Sequence, residues 1–210
     1  ESARILGFTI PWSVQEIDDA CRELLARQGF ADAYVRPIAW RGSEMMGVSA
    51  QNNTIHLAVA VWAWGDYFAD KMKGIALTHA KWRRPDPKTA PCEAKAAGLY
   101  MICTLSKHAA EREGFADALM LDWRGHVAEA TGANIFFLRD GALHTPTPDC
   151  FLNGITRQTA IKLAEARNIE IVERTTLPEE LPTFSECFIT GSAAEITPVR
   201  SIGEVEYKPG

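Results

Sequence analysis

The order of strand-like and helix-like segments constrains the fold of this 210-residue chain more than any other feature. A capping box at Ser13 and Glu16 predicts a helix that ends at Gly29. Further helices are predicted at 96–112, 156–167 and 177–181. Strands are predicted at 33–40, 54–64, 74–79, 118–121, 126–130, 134–138, 142–145, 169–173 and 186–190. Strands and helices in this mixed order favour an α+β fold over a strictly doubly wound sheet.

Charge and hydropathy exclude two classes of partner. The net charge is −5, and the only basic cluster, 81–84, is interrupted by Trp82. We therefore expect no nucleic-acid partner, and we interpret 81–84 as a rim or loop feature. No apolar run reaches the roughly 20 residues that a membrane-spanning helix needs. The five cysteines include no Cys-x-x-Cys pair, which favours reduced thiols in a cytoplasmic protein without a metal site.

The ends and the middle of the chain predict its domain organisation. The chain begins at Glu1 without a methionine and ends on Pro209 and Gly210, so we expect further residues at both ends. We predict a small domain at 1–67, an interdomain linker at 68–72 and a larger domain at 73–210. Both domains are expected to be incomplete at their outer ends.

Lys95 is the most informative single residue, because only small residues flank it (Ala94, Ala96, Ala97 and Gly98). Such neighbours leave room for a bulky group beside the amine. We expect desolvation to lower the pKa of Lys95, which would prepare the amine to attack a carbonyl and form a Schiff base. On this segment alone, a solvated lysine near the start of a helix remains the alternative.

Three later segments offer what a lysine-bound cofactor needs. Glu129 shares one face of a predicted strand with Val127, so it points inward unless it reaches water at the strand end. Thr156 opens a helix whose free N–H groups can bind an anion. Ser192 lies in a second turn of small residues. A lysine, an inward carboxylate and two anion-binding turns together indicate a phosphorylated carbonyl cofactor with a basic ring nitrogen, namely pyridoxal 5′-phosphate.

Four motifs in this order resemble those of the class IV aminotransferases, and the resemblance covers essentially the whole chain. They lie at 94–100, 129–136, 154–157 and 191–198. Segments 33–37, 46–48 and 64–67 are most similar to the branched-chain amino acid aminotransferases. The resemblance implies the fold type IV architecture of pyridoxal-phosphate enzymes. A small N-terminal α/β domain would precede a larger domain with a pseudo-barrel of mixed strands and flanking helices.

The resemblance also implies roles for individual residues. Lys95 would hold the cofactor and then carry a proton between the substrate α-carbon and the cofactor. Glu129 would pair with the pyridine nitrogen, and Tyr100 would hydrogen-bond to the ring oxygen. The remaining cofactor-binding residues would be Asn134, Ile155, Thr156, Gly191 and Ser192. The substrate would contact Tyr34, Arg36, Tyr67, Ala193 and Ala194.

Family members form dimers or larger assemblies, so we expect a homodimer or a higher homo-oligomer here. The loop around 46–48 would reach the site of the neighbouring subunit. Three positions depart from the family. No residue matches an arginine that supports the cofactor phosphate, Ala133 stands where many members have Glu, and Ser192 stands where Thr is common.

Helix geometry limits how Lys95 and Tyr100 can serve one cofactor. Five residues along an α-helix turn by about 500°, which would leave the two side chains roughly 140° apart. We therefore predict that Lys95 precedes the helix and that Tyr100 lies in its first turn.

The expected reaction moves an amino group between a branched-chain L-amino acid and 2-oxoglutarate. An apolar pocket would take the side chain, while Arg36 and Tyr34 would take the second carboxylate of glutamate. Two alternatives stay open. A D-amino acid or R-amine aminotransferase, or an aminodeoxychorismate lyase, would keep the cofactor and change the substrate. A catalytically inert truncated homologue would bind no cofactor.

Overall fold

The N-terminal part of the chain is a pair of helices and a β-hairpin. In this computed structural model, which describes residues 1–65, 67–68 and 71–209, helices α1 (Ser2–Ile5) and α2 (Val14–Gln28) come first. The Ser13 hydroxyl accepts a hydrogen bond from the Glu16 N–H, and Gly29 ends α2 in the left-handed conformation. The capping-box prediction is thus confirmed. Strands β1 (Tyr34–Arg41) and β2 (Ile55–Trp62) then pair antiparallel.

The rest of the chain builds one mixed sheet of nine strands. They are β3 (Ile75–His79), β4 (Asp117–Leu121), β5 (Val127–Ala130), β6 (Asn134–Arg139), β7 (Ala142–Thr145), β8 (Ile171–Glu173), β9 (Glu186–Gly191), β10 (Glu195–Ile202) and β11 (Val205–Glu206). The strand order is β5-β4-β3-β10-β9-β6-β7-β8, with β11 added to β10. Parallel and antiparallel pairs occur together, and helices α3 (Tyr100–Arg112) and α4 (Ile155–Glu165) accompany the sheet.

Contacts between Cα atoms divide the chain into two units, Glu1–Gly65 and Asp66–Gly210. The domain boundaries at 67 and 73 stay predictions. Ala69 and Asp70 of the predicted linker, Asp66 of the motif at 64–67, and Gly210 lie outside the described residues.

The core of the second unit is the sheet itself. Strand β5 is buried along its whole length, and so are the first four residues of β6, which means that both faces of these strands are covered. The fully buried apolar side chains around them include Leu77, Leu119, Ile135, Phe137, Ile189, Val199 and Ile202. These two buried strands can therefore hold polar side chains in fixed positions. Among the described residues, none of the helices is both long and apolar enough to cross a membrane.

Several predicted elements differ in detail from the observed ones. The predicted helix at 177–181 is a 3-10 turn, Pro178–Thr183, because Pro182 lacks the N–H that a regular helix would use. Strands β10 and β11 were not predicted. Pro198 lies inside β10, opposite Phe188, and a proline argues against an interior strand.

Candidate active site

A cavity of about 160 Å³ in the second unit brings the predicted cofactor-binding residues together. It lies at the N-terminal ends of α3 and α4 and beside β5, β6 and β9. All of the residues predicted to bind the cofactor line it, namely Lys95, Tyr100, Glu129, Asn134, Ile155, Thr156, Gly191 and Ser192. These residues come from four segments spread over nearly a hundred positions. Their convergence is a property of the fold rather than of any single motif.

Lys95 lies in irregular backbone just before the 3-10 turn Ala97–Leu99. Tyr100 is the first residue of α3, so the predicted placement of both residues is confirmed. The Lys95 Nζ donates a hydrogen bond to the Tyr100 hydroxyl over 2.8 Å. The expected desolvation of Lys95 is wrong for this structure, because small neighbours cover little of a long side chain and leave it exposed.

Glu129 is a buried carboxyl on β5 that borders the cavity. Asn134 Nδ2 donates to its Oε2 over 3.2 Å, and Arg84 Nε lies 3.4 Å from its Oε1. Burial raises the pKa of Glu129 to about 8, and the nearby charges of Arg84 and Lys95 oppose this rise. A carboxyl in that range can hold or release a proton near neutral pH, which suits a partner for a basic ring nitrogen.

Asn134 links this carboxyl to the start of α4. Its Nδ2 also donates to the Leu152 carbonyl over 2.9 Å, and its Oδ1 accepts from the Gly154 N–H over 3.2 Å. One buried side chain thus spans the distance between Glu129 and the helix N-terminus. Asn134 thereby fixes the positions of the two groups that would meet the ring nitrogen and the phosphate of a bound cofactor.

The N-terminus of α4 has the features of a phosphate site. Gly154 is the N-cap and makes no side-chain capping bond, so the first-turn N–H groups need other partners, and Ile155 and Thr156 line the cavity. Arg157 anchors the turn from behind, since its Nη2 donates to Glu173 Oε2 over 2.6 Å and to the Pro146 carbonyl over 3.1 Å. The Ser192 side chain lies across the cavity, in the turn after β9.

Gly154→Ala is expected to damage this site for a steric reason. A Cβ at residue 154 would lie 2.5 Å from Asn134 Oδ1, so Asn134 must move and lose its bond to the Gly154 N–H. We expect unfolding of the apoprotein in urea to become easier by about 1–3 kcal/mol. Pyridoxal phosphate titration should show weaker binding.

Gly132→Ala is the matched control for stability, because a Cβ at that glycine meets nothing within 4 Å. If both alanine variants unfold at the same urea concentration, Asn134 has room to move and the steric argument fails.

The predicted substrate residues are distributed over both units. Ala193 and Ala194 belong to the turn after β9, where Ala194 packs into the core. Tyr67 is partly exposed, and Lys107 Nζ lies 5.3 Å from its ring centre. Tyr34 and Arg36 lie in the other unit, on β1, where Arg36 Nη2 is 3.4 Å from the Tyr34 hydroxyl.

Arg84 is a site residue that the sequence interpretation missed. It was assigned to a rim or loop with residues 81–83, yet only 4% of Arg84 is exposed and it borders the cavity. One signal was available, because an inward Glu129 requires a cationic partner. Thr131 was missed as well; it lines the cavity and donates to the buried carboxylate of Asp117 over 2.6 Å.

The donor set of the cavity fits pyridoxal phosphate. An amine can meet the aldehyde, a buried carboxyl can meet the ring nitrogen, a phenol can meet the ring oxygen, and a helix N-terminus can meet the phosphate.

Comparison with known proteins agrees with this chemistry. The family of class IV amino-transferases matches residues 1–202. A probable branched-chain-amino-acid aminotransferase of Rickettsia felis is 38% identical over 203 residues, which span 96% of this chain and 69% of the relative. The branched-chain-amino-acid aminotransferase of Pseudomonas aeruginosa is 36% identical over 204 residues, 96% of this chain and 66% of the relative.

Solved structures give the same result. The branched-chain aminotransferase of Thermoproteus uzoniensis, determined with norvaline, has a TM-score of 0.94 at 34% identity, covering 100% of this chain and 70% of its own. The Escherichia coli branched-chain amino acid aminotransferase has a TM-score of 0.93 at 36% identity, covering 99% and 71%.

A lysine before a helix, a buried carboxyl and a helix N-terminus thus meet at one cavity on a mixed sheet, and the fold matches that of pyridoxal-phosphate enzymes of fold type IV. The chain belongs to the class IV aminotransferase family. The predicted family, the α+β fold class, the pyridoxal-phosphate-dependent aminotransferase activity and the cofactor are thereby confirmed.

Proposed function

We propose that this protein transfers an amino group between a branched-chain L-amino acid and 2-oxoglutarate, with Lys95 as the cofactor-binding and proton-carrying residue. The observation that carries the proposal is the convergence of Lys95, Tyr100, Glu129 and the α4 N-terminus on one cavity. When bound, pyridoxal phosphate supplies an aldehyde that captures amines and a ring that withdraws electrons from the substrate α-carbon.

The residues of the chain then divide the work. Lys95 Nζ would take the proton from the substrate α-carbon and deliver it to the cofactor carbon that carries the aldehyde. The Tyr100 hydroxyl accepts a hydrogen bond from Lys95 Nζ, so its own proton is available to the ring oxygen. Glu129 holds a proton at the ring nitrogen. The N–H groups of Ile155 and Thr156, with the Thr156 and Ser192 hydroxyls, bind the phosphate.

Relatives and structural neighbours support the substrate assignment. The relatives reported above are named branched-chain-amino-acid aminotransferases. Another solved branched-chain amino acid aminotransferase, 35% identical to this chain, has been determined with N-(5′-phosphopyridoxyl)-L-glutamate and with 4-methylvaleric acid. The first ligand carries glutamate and the second carries a branched apolar chain, which suits dual recognition. Arg36, Tyr34, Tyr67, Ala193 and Ala194 are the proposed substrate contacts.

We propose a homodimer as the functional form, located in the cytoplasm. Met46 and Val48 are fully exposed, and an apolar pair in that state favours burial against a second copy. All five cysteines are free thiols, which is consistent with a reducing compartment. Light scattering on the purified protein measures the assembly directly, and a monomer would exclude a site shared between subunits.

The substrate proposal is tested by donor specificity. With 2-oxoglutarate as acceptor, L-leucine, L-isoleucine and L-valine should each yield glutamate, while D-alanine and an R-amine should yield little product. Transfer from D-alanine or the R-amine alone would favour the alternatives of the same fold. A protein that cannot be loaded with pyridoxal phosphate would favour the inert homologue.

A further inference from the structure

Arg84 is buried beside the cavity although it follows an exposed basic segment. Its backbone N–H donates to the Leu121 carbonyl over 2.8 Å, and residue 84 forms an isolated parallel bridge with Asp122. The end of β4 therefore fixes the main chain at this point. From there the side chain runs inward, where 5% of it remains exposed.

The guanidinium of Arg84 meets one carboxyl and two neutral acceptors. Its Nε lies 3.4 Å from Glu129 Oε1 and 3.5 Å from the Cys150 carbonyl, and its Nη1 donates to Cys103 Sγ over 3.3 Å. Burial raises the pKa of the Cys103 thiol, so Cys103 stays neutral. Of these three contacts, Glu129 is the one that can balance the charge of Arg84.

The two carboxyl oxygens of Glu129 have different partners. Arg84 approaches Oε1, and Asn134 donates to Oε2 over 3.2 Å. A carboxyl that is held at both oxygens has its plane and its direction fixed. Without Arg84, Oε1 would lose this partner at a buried position.

Three charged groups near Glu129 act on its ionisation: Arg84, Lys95 and Asp117. Arg84 and Lys95 favour its ionised form, and the Arg84 contribution is the larger. Asp117 on β4 opposes it, as does burial between the covered faces of the sheet. Cys103 on α3 is neutral. The Lys95 amine is needed for covalent attachment and proton transfer, so its charge changes during the reaction. Arg84 is the cation near Glu129 whose charge does not change.

We propose that Arg84 is a positioning residue that acts through Glu129: its guanidinium favours the ionised form of the carboxyl and holds the carboxyl pointing into the cavity. The role of Glu129 toward the cofactor rests on the proposed function. The pairing of Arg84 with Glu129 does not depend on that function.

The test follows the protonation of Glu129 in the apoprotein. With glutamate labelled at the carboxyl carbon, NMR gives the pH midpoint of each carboxyl, and the signal lost in Glu129→Gln identifies the right one. Arg84→Gln and Arg84→Met remove the charge, and Arg84→Lys retains it. Both uncharged variants should fold, because Glu129 can become neutral rather than remain as an unpaired buried charge. Arg139→Gln removes a cation that pairs instead with Glu180 and serves as the matched control.

In Arg84→Gln and Arg84→Met, the midpoint of Glu129 should rise by about 1 pH unit or more. Arg84→Lys and Arg139→Gln should leave it close to that of the wild type. A midpoint that is the same in all variants would overturn the proposal and leave Arg84 as a packing residue.

A second readout separates this inference from the proposed function. Absorption titration with pyridoxal phosphate over a range of pH should show weaker binding to Arg84→Gln, with recovery in Arg84→Lys. If the wild type binds no pyridoxal phosphate while its Glu129 midpoint still responds to Arg84, the proposed function fails and the pairing stands. If the cofactor binds and the midpoint does not respond, the positioning role fails and the function stands.

Discussion

Lys95→Ala is expected to lower kcat for transfer from L-leucine to 2-oxoglutarate by about a thousandfold or more. The variant loses the amine that attaches the cofactor and the base that moves the α-proton, and proton transfer by a positioned side chain alone contributes about 10²–10⁴-fold. No other described side chain of the cavity carries an amine, since its remaining cation is the guanidinium of Arg84. Steady-state kinetics with saturating pyridoxal phosphate measure the loss.

Lys88→Ala is the matched control, because Lys88 lies in an exposed loop. The Lys88 N–H donates to the Asp86 side chain, and alanine would keep this backbone bond. It should retain the wild-type rate. Added ethylamine provides a second check, since a small amine can partly replace the missing base in Lys95→Ala. A Lys95→Ala rate within tenfold of the wild type would contradict the assigned role.

Glu129→Gln is expected to lower kcat by about 10²–10³-fold, the usual cost of removing one electrostatic contact from an active site. An amide cannot keep the ring nitrogen protonated, so the ring would withdraw electrons poorly. Glu129→Asp keeps the charge with a shorter side chain and should recover part of the rate. If Gln and Asp variants have the same kcat, the charge of Glu129 is not what the reaction uses.

The same residue predicts a pH dependence of stability. Its pKa is about 8 in the folded apoprotein against an ordinary 4.5, so the unfolded chain loses this proton first as pH rises. Below pH 4.5 Glu129 therefore does not lower the free energy of unfolding. It lowers this free energy progressively between pH 4.5 and pH 8, and by a constant amount above pH 8. The full cost is at most about 5 kcal/mol. Between pH 5 and pH 8.5, the free energy of unfolding of the Glu129→Gln apoprotein, measured in urea, should rise relative to that of the wild type. A difference that stays constant over this range would contradict a buried carboxyl with a raised pKa.

Much of the cavity could be predicted because its residues obey local rules. Helix geometry placed Lys95 before α3 and Tyr100 in its first turn, since a mid-helix lysine would point away from the tyrosine. Strand periodicity turned Glu129 inward. Gly154 and Thr156 indicate a helix N-terminus that can bind an anion.

Other features depend on contacts that sequence patterns do not encode. Arg84 is held in its buried position by hydrogen bonds to the carbonyls of Leu121 and Cys150, which lie 37 and 66 positions away. Asn134 was predicted to bind the cofactor, but its bridge from Glu129 to Gly154 depends on how β6 meets α4. The exposed position of Lys95 differs from the predicted desolvation because small neighbours cover little of its long side chain.

Lys95 is the proposed attachment point of pyridoxal phosphate, and every other role in the site depends on it. Borohydride reduction of the loaded protein makes such an attachment permanent, and peptide mapping by mass spectrometry then locates it. We expect a yellow protein whose visible band disappears on reduction, with the label on the peptide that contains Lys95. A label on another lysine, such as Lys107, or no label on a protein saturated with pyridoxal phosphate, would contradict it.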